Sequence, residues 1–152
     1  MSRAFVKDMD EAAEDPIPER LVSAAPNLVT PEGLAAIEAE VARLTEDLAK
    51  AGEERDARAR IARDLRYWTA RRGSAHVVEP PSEHDVVRFG ATVTLDRDDG
   101  RRQVYRIVGE DEADPSKGTL SHVSPLAQAL MGKSIGDSVT VAGHASEIAA
   151  IA

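Results

Sequence analysis

Apolar residues in the first half of the chain return at alternating spacings of three and four positions. This stripe consists of Leu34, Ile37, Val41, Leu44 and Leu48. Such spacing is typical of a helix that packs along its length against another helix. Thr30 suits the position that caps a helix N-terminus, and Pro31 suits the first helical position. The pattern predicts an amphipathic helix from Pro31 to about Ala51.

A second apolar stripe follows Gly52, in the segment from about Glu53 to Arg72. It consists of Ala57, Ile61, Leu65 and Trp68, at spacings that a helix brings onto one face. Neither helix could bury its stripe alone, and only one glycine-containing turn separates the two. The stripes therefore predict an antiparallel helical hairpin.

The second half of the chain changes to the alternating pattern of a half-buried strand. Asp98-Asp99-Gly100 is a hairpin-turn sequence, and Gln103 to Val108 is predicted to pair with the strand before it. The residues that define the first strand are Val87, Phe89, Ala91, Val93 and Leu95. These features predict an antiparallel sheet with one buried face.

One short helix is predicted inside this sheet domain. Ser124 suits its N-cap, Pro125 its first position, and Gly132 its end. Short strands are predicted at Leu120–Val123, Asp137–Val141 and Glu147–Ile151. The predicted class is α+β: an N-terminal antiparallel two-helix coiled coil, followed by an antiparallel sheet domain with one short helix.

Three segments are predicted along the chain. Residues 1–29 form an acidic tail without apolar periodicity, a composition typical of disorder. A partner-binding arm around Phe5-Val6 and Leu21-Val22 is the alternative for this tail. Residues 30–78 form the hairpin, and residues 79–152 form the sheet domain, beyond a linker containing Pro80 and Pro81.

The charge of the chain limits its partners. The net charge is −8 at pH 7, which argues against a protein that wraps duplex DNA by charge alone. There is no cysteine, no signal-peptide pattern and no membrane-spanning run, so a cytoplasmic protein is expected. The second helix nevertheless carries seven arginines. These either pair with acids across the hairpin, or form a basic face toward RNA phosphates at Arg55, Arg58, Arg63 and Arg66.

No common enzyme motif is present, and the four histidines are too scattered to predict a metal site. The hairpin tip is the chemically interesting place, because it carries Glu53, Glu54 and Asp56. Glu53 and Asp56 share one helix face and could help to hold a Mg²⁺ ion. The simpler interpretation is that acids in the first turn stabilise the positive end of the helix dipole.

Several phrases of the sequence, in this order, resemble the GreA/GreB family of bacterial transcript-cleavage and elongation factors. They are Thr30-Pro31-Glu32-Gly33-Leu34, Leu65-Arg66-Tyr67, Val87 to Val93, Tyr105 to Glu112, and Ser124 to Asp137. The resemblance implies an FKBP-like sheet domain that docks at the rim of the secondary channel of RNA polymerase. It also implies a coiled coil that enters the channel, where its tip helps the polymerase to cut backtracked RNA.

This resemblance assigns the polymerase-docking surface to the short helix, its flanks and the acidic loop. The residues are Ser124, Pro125, Leu126, Met131, Gly132, Asp137, Glu110, Asp111 and Glu112. No intrinsic cofactor is implied, only a Mg²⁺ ion shared with the polymerase active site. The chain is expected to be a monomer and not itself an enzyme. It would bind core RNA polymerase, and meet RNA and DNA only within the transcription complex.

The hairpin departs from the family pattern. The family's hairpin is longer by about three turns per arm, or about 15 Å of reach. The tip here also lacks the family's order of acids and its following aromatic residue. In this respect the chain resembles shortened Gre-like regulators of the Rnk type. We therefore expect a channel-binding regulator with little or no stimulation of RNA cleavage. An interaction module that pairs its coiled coil with another protein, without a polymerase role, is the alternative.

Overall fold

The computed structural model describes residues 17–152. Its first large feature is the predicted hairpin, formed by α1 (Pro31–Lys50) and α2 (Arg55–Ser74). Ile37, Val41 and Leu44 are buried between the helices, as the stripe of α1 predicts. The facing stripe of α2 is only half-buried, because a two-helix hairpin has no third helix to cover its open side. The antiparallel hairpin is confirmed.

Two short strands close the base of the hairpin. β1 (Leu28–Val29) precedes α1 and pairs in parallel with β2 (His76–Val77), which follows α2. The predicted limit of the disordered tail at residue 29 is therefore too late, because Asn27 and Val29 are buried. Leu21 and Val22, by contrast, are exposed. Residues 1–16, including Phe5-Val6, lie outside the described part of the chain.

A five-stranded sheet forms the second half of the protein. Its strands are β3 (Thr92–Arg97), β4 (Arg102–Val108), β5 (Thr119–Ser121), β6 (Ser138–Val141) and β7 (His144–Ile151). They are arranged in the order β5-β4-β3-β7-β6. The predicted sheet was entirely antiparallel, but β4 and β5 are parallel. The physical reason is their connection, residues 109–118, which crosses over the hairpin base and returns the chain in the same direction.

One helix, α3 (Pro125–Leu130), packs on this sheet as predicted. The Ser124 hydroxyl caps it by accepting a hydrogen bond from the Ala127 amide. The alternating residues from Val87 to Leu95 are all buried in the core. However, the strand begins only at Thr92, because Gly90 has a φ of 85° and interrupts the extended backbone. The α+β class is confirmed.

The hairpin is joined to the sheet domain by the acidic loop that follows β4. Glu112 accepts hydrogen bonds from the Thr30 amide (3.0 Å), the Thr30 hydroxyl and the Gly109 amide (3.2 Å). Thr30 also caps α1 by accepting from the Gly33 amide at 3.0 Å. A Cβ atom on Gly33 would lie 2.1 Å from the Glu112 carboxylate. Gly33 is therefore the residue that gives Glu112 room to reach the start of α1.

We expect Gly33→Ala to destabilise the protein by about 1–3 kcal/mol, because Glu112 would be displaced and the Thr30 amide would lose its acceptor. Gly73→Ala is the matched control, since Gly73 also lies in a helix but a Cβ added there would meet no atom within 4 Å. That change should be neutral or stabilising, by up to about 1 kcal/mol. Urea unfolding of both variants tests this, and equal effects at the two glycines would contradict it.

Candidate functional site

A buried arginine lies at the junction of the hairpin and the sheet domain. Arg71, in the last turns of α2, is only 1% exposed. Its Nε donates to Asp111 Oδ2 at 2.6 Å, and its Nη2 donates to Asn27 Oδ1 at 2.8 Å. Asn27 in turn donates to the Arg71 carbonyl oxygen at 2.9 Å. One guanidinium group therefore ties together α2, the segment before β1 and the acidic loop.

The Asp111 carboxylate has a second partner on the same helix. The Tyr67 hydroxyl, one turn before Arg71, donates to Asp111 Oδ1. Burial, reinforced by the hydrogen bond to Asp111 and its negative charge, raises the pKa of Tyr67 to about 12. Tyr67 therefore remains a hydrogen-bond donor throughout the physiological pH range, and both oxygens of Asp111 face α2.

His122 adds a second buried polar group beside this junction. Its ring packs edge-on against Phe89, with 5.5 Å between ring centroids. Burial lowers the pKa of His122, while the nearby Glu110 carboxylate opposes that shift. Within the described residues, His122 Nε2 and Glu110 Oε2 are buried without a hydrogen-bond partner, although Glu110 lies 3.5 Å from Arg71 Nη2. The neutral imidazole is therefore favoured here.

The charge of the acidic loop suggests that its side chains are exposed to solvent, but two of them are engaged within the chain. Asp111 is 9% exposed at its side chain, and the Glu112 carboxylate binds the start of α1. Both residues hold the hairpin on the sheet domain. Their predicted contribution to polymerase docking stays a prediction, and any such contact would be made by a loop whose side chains are largely engaged within the chain.

The predicted docking helix divides into a buried and an exposed part. Leu126 packs on the core beside the buried Ala127 and Leu130. Met131, at 39%, and Ile135, at 59%, are among the exposed large apolar residues. The remaining predicted docking residues shape this surface: Ser124 caps the helix, Pro125 is its exposed first residue, Gly132 has a φ of 78°, and Asp137 accepts from the Ser134 amide at 2.8 Å.

We call the exposed residues Met131 and Ile135 the apolar patch. The sequence interpretation included Ile135 only as part of a longer segment. Periodicity could not reveal its exposure, because it lies in a turn between α3 and β6. The apolar patch is the part of the predicted docking surface that a partner could reach without disturbing the core.

The hairpin tip projects its acids into solvent. Glu53, Glu54 and Asp56 are all exposed around a turn in which Gly52 has a φ of 62°. Within residues 17–152, no group of three or more His, Asp or Glu side chains is placed to hold a metal ion. Arg58 donates to the Gly52 carbonyl oxygen at 2.9 Å and so closes the tip turn. A positive charge is therefore held at the tip turn.

The arginines proposed to face RNA have partners within the chain. Arg66 forms an ion pair with Glu19, and Arg63 lies 3.2 Å from Asp64. Arg58 is used at the tip, and Arg55 is the exposed first residue of α2. Each pair is solvent-accessible, so it contributes little stability and could exchange for a phosphate. The RNA-facing role of these arginines stays a prediction.

Comparison with known proteins shows to which family this chain belongs. The family described as "Transcription elongation factor, GreA/GreB, C-term" matches residues 82–151. A protein of Desulfovibrio desulfuricans named "Transcription elongation factor GreA" is 37% identical over 134 residues, covering 74% of this chain and 83% of that protein. This chain belongs to the GreA/GreB family.

Other relatives in the GreA/GreB family match to different extents. "Transcription elongation factor GreA" of Ruegeria pomeroyi is 35% identical over 74% of this chain and 86% of its own length. "Transcription elongation factor GreB" of Neisseria meningitidis is 46% identical, but the match spans only about half of either protein, 53% of this chain and 51% of that one. Among solved structures, GreA factor homolog 1 (Gfh1) of Thermus thermophilus covers 84% of this chain and 99% of its own, with a TM-score of 0.42 and 19% identity.

No helix among residues 17–152 combines the length and apolar character needed to cross a membrane.

Three features of this GreA/GreB family member are chemically distinctive: the junction around Arg71, the apolar patch and the acidic tip. Only the first of these is buried, and its strength can be measured in the isolated protein.

We expect Arg71→Ala to destabilise the protein by about 3–5 kcal/mol, because it leaves the Asp111 carboxylate buried without its cation. The matched control is Arg72→Ala, since Arg72 is the next residue of the same helix and is exposed. That change should stay within about 0.5 kcal/mol of the parent protein. Urea unfolding at pH 7 measures both. A loss at Arg71 no larger than at Arg72 would show that the junction does not depend on the guanidinium group.

Proposed function

We propose that this chain is a Gre-like transcription elongation factor that binds RNA polymerase at its secondary channel. The sheet domain would dock at the channel rim through the apolar patch, and the hairpin would enter the channel. Membership of the GreA/GreB family supports this, since the curated relatives are named as elongation factors. The factor would act in the cytoplasm as a monomer and would have no cofactor of its own.

The observation that carries this proposal is the buried junction at Arg71. A docking domain can direct a projecting arm only if the two are rigidly joined. Here one side of α2 is fixed to the acidic loop by Arg71 and Tyr67, and the start of α1 is fixed by Glu112. Binding at the apolar patch would therefore set the direction of the hairpin.

The tip geometry favours channel occupancy over stimulation of RNA cleavage. The 20 residues of α1 give a helix about 30 Å long, which is about three turns shorter than the arm that the family resemblance implies. A catalytic group displaced by about 1 Å can already cost about 100-fold in rate. The Arg58 guanidinium, held at the tip turn by the Gly52 carbonyl oxygen, also adds a positive charge to the segment that carries the tip acids, and a positive charge there disfavours a divalent cation. The factor would then compete with full-length Gre factors for the channel.

The apolar patch provides the first test. We expect Ile135→Glu to weaken binding to core RNA polymerase by about tenfold or more, because it puts an unpaired charge at the centre of the proposed interface. Val104→Glu is the matched control, since Val104 is 52% exposed on β4 of the same domain. Binding is measured by fluorescence anisotropy, and circular dichroism verifies the fold of each variant. Folded Ile135→Glu protein that binds as tightly as Val104→Glu would exclude the patch.

RNA cleavage provides the second test. In a stalled, backtracked complex with labelled RNA, the factor should release little or no 3′ fragment. It should instead slow the cleavage that an added GreA protein stimulates. Glu53→Ala combined with Asp56→Ala should leave this competition unchanged, because occupancy depends on docking and not on the tip acids. Robust fragment release that the double variant abolishes would instead make the tip a metal-recruiting site.

A further inference from the structure

A cavity of about 210 Å³ lies at the base of the hairpin, where the two helices meet the acidic loop. Part of its wall is apolar and consists of Val29, Ile37 and the ring of Trp68. Val29 and Ile37 are each only 2% exposed, so this part of the wall is preformed. Asp111 and Glu112 of the acidic loop also line the cavity and give it carboxylate groups.

The Glu112 carboxylate is held in a fixed position at this cavity. Its oxygens accept hydrogen bonds from the Thr30 amide at 3.0 Å, from the Thr30 hydroxyl and from the Gly109 amide at 3.2 Å. A carboxylate has about four acceptor positions, so one position on Glu112 remains. Gly33, which also lines the cavity, has no side chain that could cover the carboxylate. A donor in the cavity therefore has both an acceptor and room to approach it.

Glu112 differs from the other carboxylates of the cavity in its charge balance. Asp111 lies 2.6 Å from Arg71 Nε, and Glu40 forms an ion pair with Arg43. Glu112 accepts only from uncharged donors, and it takes part in none of the ion pairs found among residues 17–152. The cavity thus carries one negative charge that no neighbouring cation neutralises, and this charge favours a cationic ligand.

The Trp68 ring adds a second attraction for a cation. The face of an indole ring attracts a positive charge that lies within about 6 Å of the ring centroid. The Arg20 guanidinium lies 5.7 Å from the Trp68 centroid, although it stacks more closely on Tyr67, at 3.9 Å. Arg20 is exposed, lies 3.6 Å from Asp64 and does not line the cavity. Its charge is therefore offset outside the cavity, which stays open to another cation.

The volume of the cavity limits the size of its ligand. An apolar cavity of about 150 Å³ can hold a benzene molecule, so a cavity of about 210 Å³ has room for about eight non-hydrogen atoms. More of the lining surface is apolar than polar. A ligand that matches both the lining and the charge has a short apolar body and one positive group.

We propose that this cavity binds a small primary amine, with its apolar body against Ile37 and Trp68 and its ammonium group donating to Glu112. Ile37 and Trp68 belong to the hairpin, whereas Glu112 belongs to the loop that follows β4. The ligand would therefore connect the two parts of the protein and strengthen their attachment. The site goes beyond the proposed function and does not depend on it, because this chain alone forms it.

Benzylamine and benzyl alcohol test the proposal, because they are equal in size and differ in charge. In a titration of the ¹⁵N-enriched full chain, the indole N–H of the single tryptophan gives one NMR signal to follow. Benzylamine should shift this signal with a Kd of about 1 mM or lower. Benzyl alcohol should bind at least about tenfold more weakly, because it lacks the charge that strengthens a hydrogen bond to a carboxylate. Equal affinities, or no shift with benzylamine, would overturn the proposal.

Ammonium chloride tests whether the apolar body is needed. At the same concentrations it should leave the indole signal in place, because it cannot pack against Ile37 and Trp68. A shift as large as that caused by benzylamine would show that the cavity takes any small cation, and would overturn the assignment of an amine with an apolar body.

A substitution that fills the cavity locates the binding. Ala36 lines the cavity but is exposed on α1, so Ala36→Leu should narrow the cavity without disturbing the core. It should weaken benzylamine binding by about tenfold or more. Ala39→Leu is the matched control, since Ala39 is also exposed on α1 and does not line the cavity. Binding that survives Ala36→Leu, or that both variants weaken equally, would place the amine elsewhere and overturn the proposal.

Glu112→Gln removes the charge and keeps the size of the side chain. This variant should bind benzylamine and benzyl alcohol with equal affinity, and a preference for benzylamine that persists would overturn the role of Glu112. Circular dichroism verifies its fold, because Glu112 also holds Thr30. If the variant does not fold, the two ligands in the parent chain still decide the question of charge. None of these measurements includes RNA polymerase, so a chain that binds the amine but not the polymerase would refute the proposed function alone.

Discussion

The fold depends on one charged group that is almost removed from water. Burying the Arg71 guanidinium would cost several kcal/mol if it were unpaired, so the structure around it must supply a carboxylate and an acceptor amide. Those partners come from segments 84 residues apart in sequence, Asn27 and Asp111. Satisfying one side chain therefore fixes three segments relative to each other. The hairpin needs such a joint, because the packing between its two helices holds them together but does not fix their orientation relative to the sheet domain.

Much of this architecture follows from local signals. Thr30, Ser124 and Gly100 act as the caps and the turn that their residue types predict, and the α1 stripe is buried as its period requires. The junction was missed because helix α2 contains seven arginines, and composition cannot single out the one that is buried. A weak signal existed: Arg71 follows Trp68 by three positions and so continues the apolar stripe.

The sequence did not predict that β4 and β5 are parallel, nor where the acidic loop lies. Both failures have the same reason. A run such as Glu110 to Glu112 is usually solvated, and nothing local indicates that it crosses a helix base. Gly33 was the available clue, because a glycine in the first turn of a good helix suggests that another group approaches closely. Predicting which group required the tertiary structure. The candidate site shows the same limit: residue types located the tip and the docking helix, but only the fold separated exposed Ile135 from packed Leu126.

The single tryptophan of the chain lies at the joint between the two parts. Trp68 borders the cavity at the hairpin base, together with Ile37 of α1 and with Asp111 and Glu112 of the acidic loop. Its ring also contacts Tyr67 edge-on, at 5.1 Å between centroids. The fluorescence emission of this indole is therefore an intrinsic reporter of the angle between the hairpin and the sheet domain. Any partner that changes this angle would shift the emission wavelength or the intensity of Trp68 fluorescence, with no added label.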